Sequence, residues 1–211
     1  ALKLAHLKHK ESVQQERKVY HWIRNIDPRT ALSMIIDGMD QQKTFVPWIW
    51  PFDKAISSLM RLKTHITGVI MHGQTPSCLL FLDYADLPHD PNLTCHVILQ
   101  SLLSLEGPLP STFNLQLDNT CRENKNWCVL TFLGVLVFNG VFDQINVNFL
   151  PVGHTHEDID AVFSKLATKL RKAVVKTITK LTEILKSPVK KFGQTPEVRV
   201  VKEVPNVREW M

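Results

Sequence analysis

The order of apolar segments constrains the fold most, because their period changes along the chain. Short β-branched and apolar runs come first, and helical and strand-like periods alternate from residue 91 onward. The predicted strands cover 32–37, 45–50, 65–72, 78–84, 112–118 and 144–150, and the predicted helices cover 1–26, 91–106, 123–139 and 157–174. A meander followed by alternating helices and strands favours a layered α/β domain with helices on both faces of a mixed sheet.

The size of the chain agrees with one such domain. A domain close to 211 residues can bury roughly 70% of the surface that its unfolded chain exposes, so it needs no disulfide or structural metal. We divide the chain into a polar N-terminal helix at 1–26, a central α/β domain at 27–175 and a basic C-terminal extension at 176–211. Ala1 stands where a Met would begin a complete protein, and we therefore expect an internal fragment.

The charge is unevenly distributed and points to a polyanionic partner. Residues 161–211 contain 12 Lys and Arg against 4 Asp and Glu, a net charge of +8, whereas residues 1–160 have a net charge of −3. Nucleic acid is the commonest partner of such a basic segment. The candidate phosphate-binding residues, which follow the last acidic cluster closely, are Lys165, Lys169, Arg171, Lys172 and Lys176.

Membranes and secretion are not indicated. The longest apolar run, 127–138, has about the length of a buried helix and is too short to span a bilayer. Four irregularly spaced cysteines are typical of reduced thiols and not of a disulfide framework. We expect an intracellular, nuclear protein.

Three acidic positions stand where predicted elements end or begin. Asp37 ends the first strand, Asp118 ends a later one, and an acidic cluster opens the helix at 157–174. Carboxylates gathered outside the carboxyl ends of strands repel one another unless a divalent cation neutralises them, which predicts a Mg²⁺ or Mn²⁺ site. Helical angles put Asp160 and Asp158 on opposite flanks of the buried face, and both remain candidates.

These acids lie in motifs that resemble a known family. The motifs are DGMDQQK at 37–43, LDN at 117–119 and GHTHEDID at 153–160. They are similar to the ribonuclease-H-like domains of DDE/DDD transposases and retroviral integrases, and more closely to a widespread eukaryotic family of transposon-derived proteins. The resemblance covers roughly residues 6–172, and its most specific part is the element that ends at Asp160.

The resemblance implies a fold, a reaction and roles for single residues. The fold would be a ribonuclease-H-like mixed sheet of five strands, and the reaction would be metal-dependent DNA cleavage and strand transfer by a homo-oligomer. The implied catalytic ligands are Asp37, Asp118 and Asp160, with Asp40 and Asp158 as alternative metal ligands. The supporting residues around the metal would be His154, His156 and Asn119.

Two other functions remain open at this point. The first is a domesticated module that keeps the fold, binds nucleic acid or protein and has lost catalysis. The second is a metallophosphoesterase, because His154 and His156 stand in a Gly-His-x-His element that such enzymes use to bind metal. That alternative lacks a histidine two residues after Asp37, and its remaining motifs are absent from the sequence.

Overall fold

A computed structural model describes residues 2–41, 44–49, 60–84, 86–149, 158–187 and 195–210. Helices and strands follow one another in these ranges much as the apolar periods predict. The helices are α1 Leu2–Arg24, α2 Pro91–Leu102, α3 Trp127–Phe138, α4 Asp158–Arg171 and α5 Ile178–Leu185. The strands are β1 Ala31–Gly38, β2 Thr64–Met71, β3 Cys78–Tyr84, β4 Thr112–Leu117, β5 Gln144–Phe149 and β6 Glu197–Val200.

The strands form one mixed sheet in the order β5-β4-β1-β2-β3-β6. Strands β1, β2 and β3 are an antiparallel meander, while β4 is parallel to β1 and β5 is parallel to β4. The expected number of five strands is wrong, because β6 adds a sixth by pairing in parallel with β3. The residues of β6 that pair with β3 are 197–200, in the region that we assign to the basic C-terminal extension.

Helices cover both faces of the sheet, as predicted. Side chains alternate between the faces of a strand, so Met34 and Ile36 of β1 pack with residues of α2 and α3. Ile35, between them, packs with residues of α4 and α5 on the other face. Two separate apolar clusters therefore fasten the helices to the sheet, and Tyr20 of α1 joins the cluster on the α4 face.

A glycine allows α4 to lie unusually close to the sheet. A Cβ atom on Gly68 would stand 2.7 Å from Cδ1 of Ile159 and 2.8 Å from Cζ of Phe163, which real Cβ atoms essentially never do. Gly68 pairs with Asp37 in the β1–β2 register. The missing side chain thus lets the start of α4 approach the sheet next to the acidic end of β1.

The segment predicted as a strand at 45–50 is different in the structure. Val46 and Trp48 make isolated bridges to Leu62 and Val175, and no strand forms over the described part, 45–49. Pro47 lies between the two bridging residues and has no N–H to donate to a ladder, which explains the interruption. Residue 50 lies outside the described residues.

The predicted helix at 123–139 begins later than expected. Residues 121–126 form turns, and α3 begins after Asn126, whose side chain accepts a hydrogen bond from the N–H of Val129. This arrangement leaves the polar residues of the turns free to contact the end of β4.

Residues after 176 pack against the sheet as well. Leu181 and Leu185 of α5 belong to the cluster on the α4 face, whereas Val201 and Val207 belong to the cluster on the α2 and α3 face. Among the described residues, no helix has both the length and the apolar character needed to cross a membrane.

Candidate functional site

Asp37 and Asp118 stand at the carboxyl ends of two adjacent parallel strands. Asp37 is the penultimate residue of β1, and Asp118 directly follows β4. The register pairs Ile35 with Gln116, and each aspartate stands two residues further along its strand. Since side chains repeat every two residues, both positions fall on the sheet face that α4 covers. The two aspartates therefore stand at the same edge of the sheet, on the neighbouring strands β1 and β4.

The charge of Asp160 reaches the same place from the first turn of α4. Burial raises the pKa of Asp37 to about 6, with further increases from the negative charges of Asp160 and Asp118. A hydrogen bond of 2.8 Å from the N–H of Gly38 to Oδ1 of Asp37 acts in the opposite direction. The charges of Asp118 and Asp160 therefore both act on Asp37, and we call Asp37, Asp118 and Asp160 the acidic site.

The carboxylate of Asp118 is oriented by its own loop. Oδ1 of Asp118 accepts hydrogen bonds from the N–H of Thr120 (3.0 Å), the hydroxyl of Thr120 (2.5 Å) and Nδ2 of Asn124 (2.6 Å). Asn119, which the resemblance implies as a supporting residue, is exposed. The side-chain amide that donates to Asp118 belongs to Asn124 instead. Asn124 also contacts the hydroxyl of Thr94 on α2, which fastens the loop to the body of the domain.

A cavity of about 300 Å³ lies beside the acidic site. Asp37, Asp118 and Asn124 line it together with Asp40, which is itself exposed. Other wall residues come from β2 and α2. The cavity therefore opens the carboxylates of β1 and β4 to a ligand of small-molecule or ion size.

Asp158 occupies a different environment from Asp160, although both belong to the first turn of α4. Its side chain is buried, and Oδ2 accepts hydrogen bonds from Nη1 of Arg24 (2.7 Å) and the hydroxyl of Tyr20 (3.0 Å). Nε2 of His72 lies 3.4 Å from the same oxygen. These contacts fasten α1 to α4. Helical angles predict that Asp158 lies on the flank of α4 opposite to Asp160, and that flank faces α1.

The remaining predicted site residues have mixed positions. His154 and His156 lie outside the described residues. Four of the predicted phosphate-binding residues are exposed: Lys165, Arg171, Lys172 and Lys176. The amino group of Lys169 donates hydrogen bonds to the hydroxyl (2.7 Å) and the carbonyl (3.3 Å) of Ser187, which joins α4 to the end of α5.

A second polar cluster lies at the end of the β2–β3 hairpin that is opposite its turn. The register pairs His65 directly with Asp83, and His89 approaches from the loop before α2. Oδ1 of Asp83 lies 2.9 Å from Nδ1 of His65 and 3.2 Å from Nε2 of His89. Potential ligand atoms of the three side chains all lie within 4.8 Å of one another, so these residues could hold a metal ion. We call His65, Asp83 and His89 the histidine site.

Comparison with known proteins gives a family and no function. A family model described as "Domain of unknown function (DUF7869)" matches residues 54–211, about three quarters of the chain. The chain belongs to this family. No curated protein matches the chain, and no solved structure matches it.

The DUF7869 match includes most of both sites. Asp118, Asp160 and the whole histidine site fall inside the matched residues, whereas Asp37 on β1 precedes them. Sequence reasoning named the acidic site but missed Asn124 as the partner of Asp118. It also missed the histidine site, for which the one available signal was the facing of His65 and Asp83 across a predicted hairpin.

Proposed function

We propose that this DUF7869 domain is a ribonuclease-H-like, metal-dependent nuclease of the transposase and integrase type, which cleaves DNA phosphodiesters and transfers strands. The observation that carries the proposal is that Asp37 and Asp118 stand at the ends of two adjacent parallel strands, where the charge of Asp160 at the start of α4 also acts on Asp37.

The topology supports this proposal. A ribonuclease-H-like domain requires that its first and fourth strands be neighbours, and β1 and β4 are adjacent and parallel. The antiparallel meander β1–β2–β3 followed by the parallel strands β4 and β5 fits the same architecture. On this interpretation β6 is an addition at the edge of a five-stranded core.

The donor set of the acidic site fits Mg²⁺ or Mn²⁺. Hard divalent cations take oxygen ligands, and all three residues of the site are carboxylates. Burial and the neighbouring negative charges raise the pKa of Asp37 to about 6, which means that its ionised form is unfavourable. A bound cation would stabilise that ionised form. Bound in a pair, such ions activate an attacking oxygen and stabilise the leaving oxygen of a phosphodiester.

The residues of the chain itself would bind the metal ions, orient a ligand carboxylate and position the DNA. Asp37, Asp118 and Asp160 would hold the ions, and Asn124 and Thr120 keep the Asp118 carboxylate in one orientation. The exposed cations of α4 and of the residues just after it would contact phosphates of the DNA backbone, which fix the position of a duplex without reading its sequence. Asp158 would serve to hold α1 and takes no metal in this proposal.

The test combines metal binding with cleavage. We compare the parent with Asp37→Asn, Asp118→Asn and Asp160→Asn by Mn²⁺ calorimetry and by nicking of supercoiled plasmid. Each variant removes one anionic ligand while preserving shape, so we expect a loss of Mn²⁺ affinity of at least about tenfold and nicking at background level.

The control is Asp143→Asn, which removes an exposed carboxylate next to β5 and should behave like the parent. Metal binding by the parent without nicking would favour the domesticated, catalytically silent module. Equal Mn²⁺ affinity in the parent and all three site variants would contradict the proposal itself.

A further inference from the structure

The histidine site has a donor set that differs from the acidic site in kind. Two imidazoles and one carboxylate converge on it, and imidazole nitrogen is a ligand preferred by Zn²⁺ and related transition metals and avoided by Mg²⁺. The three residues come from β2, β3 and the loop before α2, so the surrounding elements hold them on a rigid frame.

The spacing of the donor atoms is close to that of a tetrahedral site. With metal–ligand distances of about 2.0–2.1 Å, two ligand atoms of a tetrahedral zinc site lie about 3.3 Å apart. The distances from Oδ1 of Asp83 are 2.9 Å to Nδ1 of His65 and 3.2 Å to Nε2 of His89. Both distances from the carboxylate oxygen are therefore within a few tenths of an ångström of the spacing in a tetrahedral site, and the third pair of donor atoms lies within 4.8 Å.

An unsatisfied oxygen provides a second, independent observation. Asp83 is fully buried, and its Oδ2 has no hydrogen-bond partner among the described residues. A buried carboxylate oxygen without a partner is costly, and a cation next to the carboxylate would satisfy it. A divalent cation held by the three side chains would also balance the charge of the buried Asp83 carboxylate.

The histidine site adjoins a cavity, so a metal ion bound there would have a coordination position accessible to a ligand. His65 and His89 line the cavity of about 300 Å³ that Asp37 and Asp118 also line. Glu123 lines it too, and its charge acts on His89. Three protein ligands with a fourth position open to a cavity are the pattern of a zinc site that binds water or a ligand oxygen.

From these observations we infer that His65, Asp83 and His89 form a binding site for a transition metal of the Zn²⁺ class, separate from the acidic site, with its fourth coordination position open to the shared cavity. The inference does not depend on the proposed nuclease activity, because none of these three residues belongs to the acidic site.

The test is a Co²⁺ titration of the full chain, followed by visible absorption and by competition with Zn²⁺. Tetrahedral Co²⁺ absorbs visible light far more strongly than octahedral Co²⁺, so the spectrum reports the geometry directly. We expect one equivalent with a tetrahedral spectrum that Zn²⁺ displaces and a large excess of Mg²⁺ does not.

Variants assign the bound ion to its ligands. His89→Gln removes one ligand and should weaken Co²⁺ binding by at least about tenfold. His96→Gln is the matched control, since His96 is a partly buried histidine on α2 that does not line the cavity. The double variant Asp37→Asn/Asp118→Asn should keep the tetrahedral spectrum, which separates this inference from the proposed function.

Three results would overturn the inference: no tetrahedral spectrum, equal affinity in parent and His89→Gln, or a thiolate charge-transfer band that assigns the ion to cysteine. Should His89→Gln fail to fold by circular dichroism, histidine ring resonances of the parent decide the matter. Zn²⁺ should shift those of His65 and His89, and shifts confined to other histidines would contradict the site.

Discussion

The ionised form of Asp37 is unfavourable in the acidic site, and this should lower the free energy of unfolding at neutral pH. Its folded pKa of about 6 lies above the ordinary value of 3.8, so the folded state binds the proton more tightly than the unfolded state. In metal-free protein the contribution of this residue is therefore most favourable below pH 4 and is lost as the pH rises to about 6.

Asp37→Asn should consequently stabilise the metal-free protein at pH 7.5 by on the order of 2–3 kcal/mol and have little effect near pH 4. The asparagine can still accept the hydrogen bond from Gly38 through its carbonyl oxygen. Urea unfolding in EDTA at both pH values measures the difference. An unchanged or lower free energy of unfolding at pH 7.5 would show that Asp37 is not under electrostatic strain.

Asp158 should respond in the opposite way to the same chemical change. Asp158→Asn breaks a partly buried ion pair with Arg24 and weakens the contact with Tyr20, so we expect a loss of about 1–3 kcal/mol in the free energy of unfolding at pH 7.5. Tyr20→Phe, which removes the hydroxyl that donates to Asp158 and lies 3.4 Å from Nε2 of His72, should cost about 1 kcal/mol.

Mn²⁺ calorimetry on folded Asp158→Asn provides the contrast with the acidic site. We expect an affinity within a factor of about two of the parent, because the carboxylate faces α1 and no metal ligand is lost. A loss as large as that of Asp160→Asn would mean that both acids of the first turn of α4 hold metal.

The packing of α4 on β2 links one glycine to the geometry of the acidic site. Gly68→Ala would force its new methyl group into Ile159 and Phe163, and overpacking of this kind typically costs about 1–3 kcal/mol. Since Asp160 lies between these two residues on α4, the displaced helix should also bind Mn²⁺ several-fold more weakly.

Gly134→Ala is the control for that substitution. Gly134 lies inside α3 with open space around the position of a Cβ atom, so alanine should be neutral or stabilising by up to about 1 kcal/mol. Thermal unfolding and Mn²⁺ calorimetry on both variants check the comparison. Unchanged Mn²⁺ affinity in Gly68→Ala would show that the position of α4 does not control the site.

Elements with an unmistakable period could be predicted from sequence alone. The strand Cys78–Tyr84 has the predicted bounds, and β1, β2, β4 and β5 differ from theirs by one or two residues. Each is a short apolar run between turn residues, for which local pattern and burial agree. Helical angles likewise predict that Asp158 and Asp160 lie on opposite flanks of α4, because a fixed rotation per residue separates the two side chains, but the angles alone leave open which acid belongs to the site.

Features that depend on exact register or on loop conformation were beyond the sequence. His65 meets Asp83 because the hairpin pairs residue 70 with residue 78, and a shift of one residue would send the two side chains elsewhere. Asn124 reaches Asp118 through a loop that the apolar period assigned to a helix. At 45–50 a strand was predicted where none forms over the described part. The prediction gave more weight to the β-branched and aromatic residues than to the N–H that Pro47 lacks.

At the scale of the whole molecule, the proposal requires a DNA-binding surface around α4. Phosphate contacts release counterions, so affinity for a DNA duplex should fall steeply between low and physiological salt. Lys165→Gln/Lys172→Gln removes two exposed charges and should weaken binding and reduce the salt slope by about two.

The matched control is Lys202→Gln/Arg208→Gln, which removes two exposed charges that directly follow Val201 and Val207, residues of the cluster on the α2 and α3 face. Its salt slope should stay closer to that of the parent. Fluorescence anisotropy with a labelled duplex at several salt concentrations measures both. Equal slopes in the parent and the α4 variant would show that these cations are merely solvated.

The central claim is that three carboxylates from β1, the end of β4 and α4 share divalent metal. Anomalous diffraction from a crystal soaked in Mn²⁺ tests it most directly. We predict an anomalous peak between Asp37, Asp118 and Asp160, with a carboxylate oxygen of each at about 2.0–2.3 Å from a metal. Carboxylates of Asp37 and Asp118 more than about 12 Å apart, or Mn²⁺ bound elsewhere with no peak between the three acids, would contradict it.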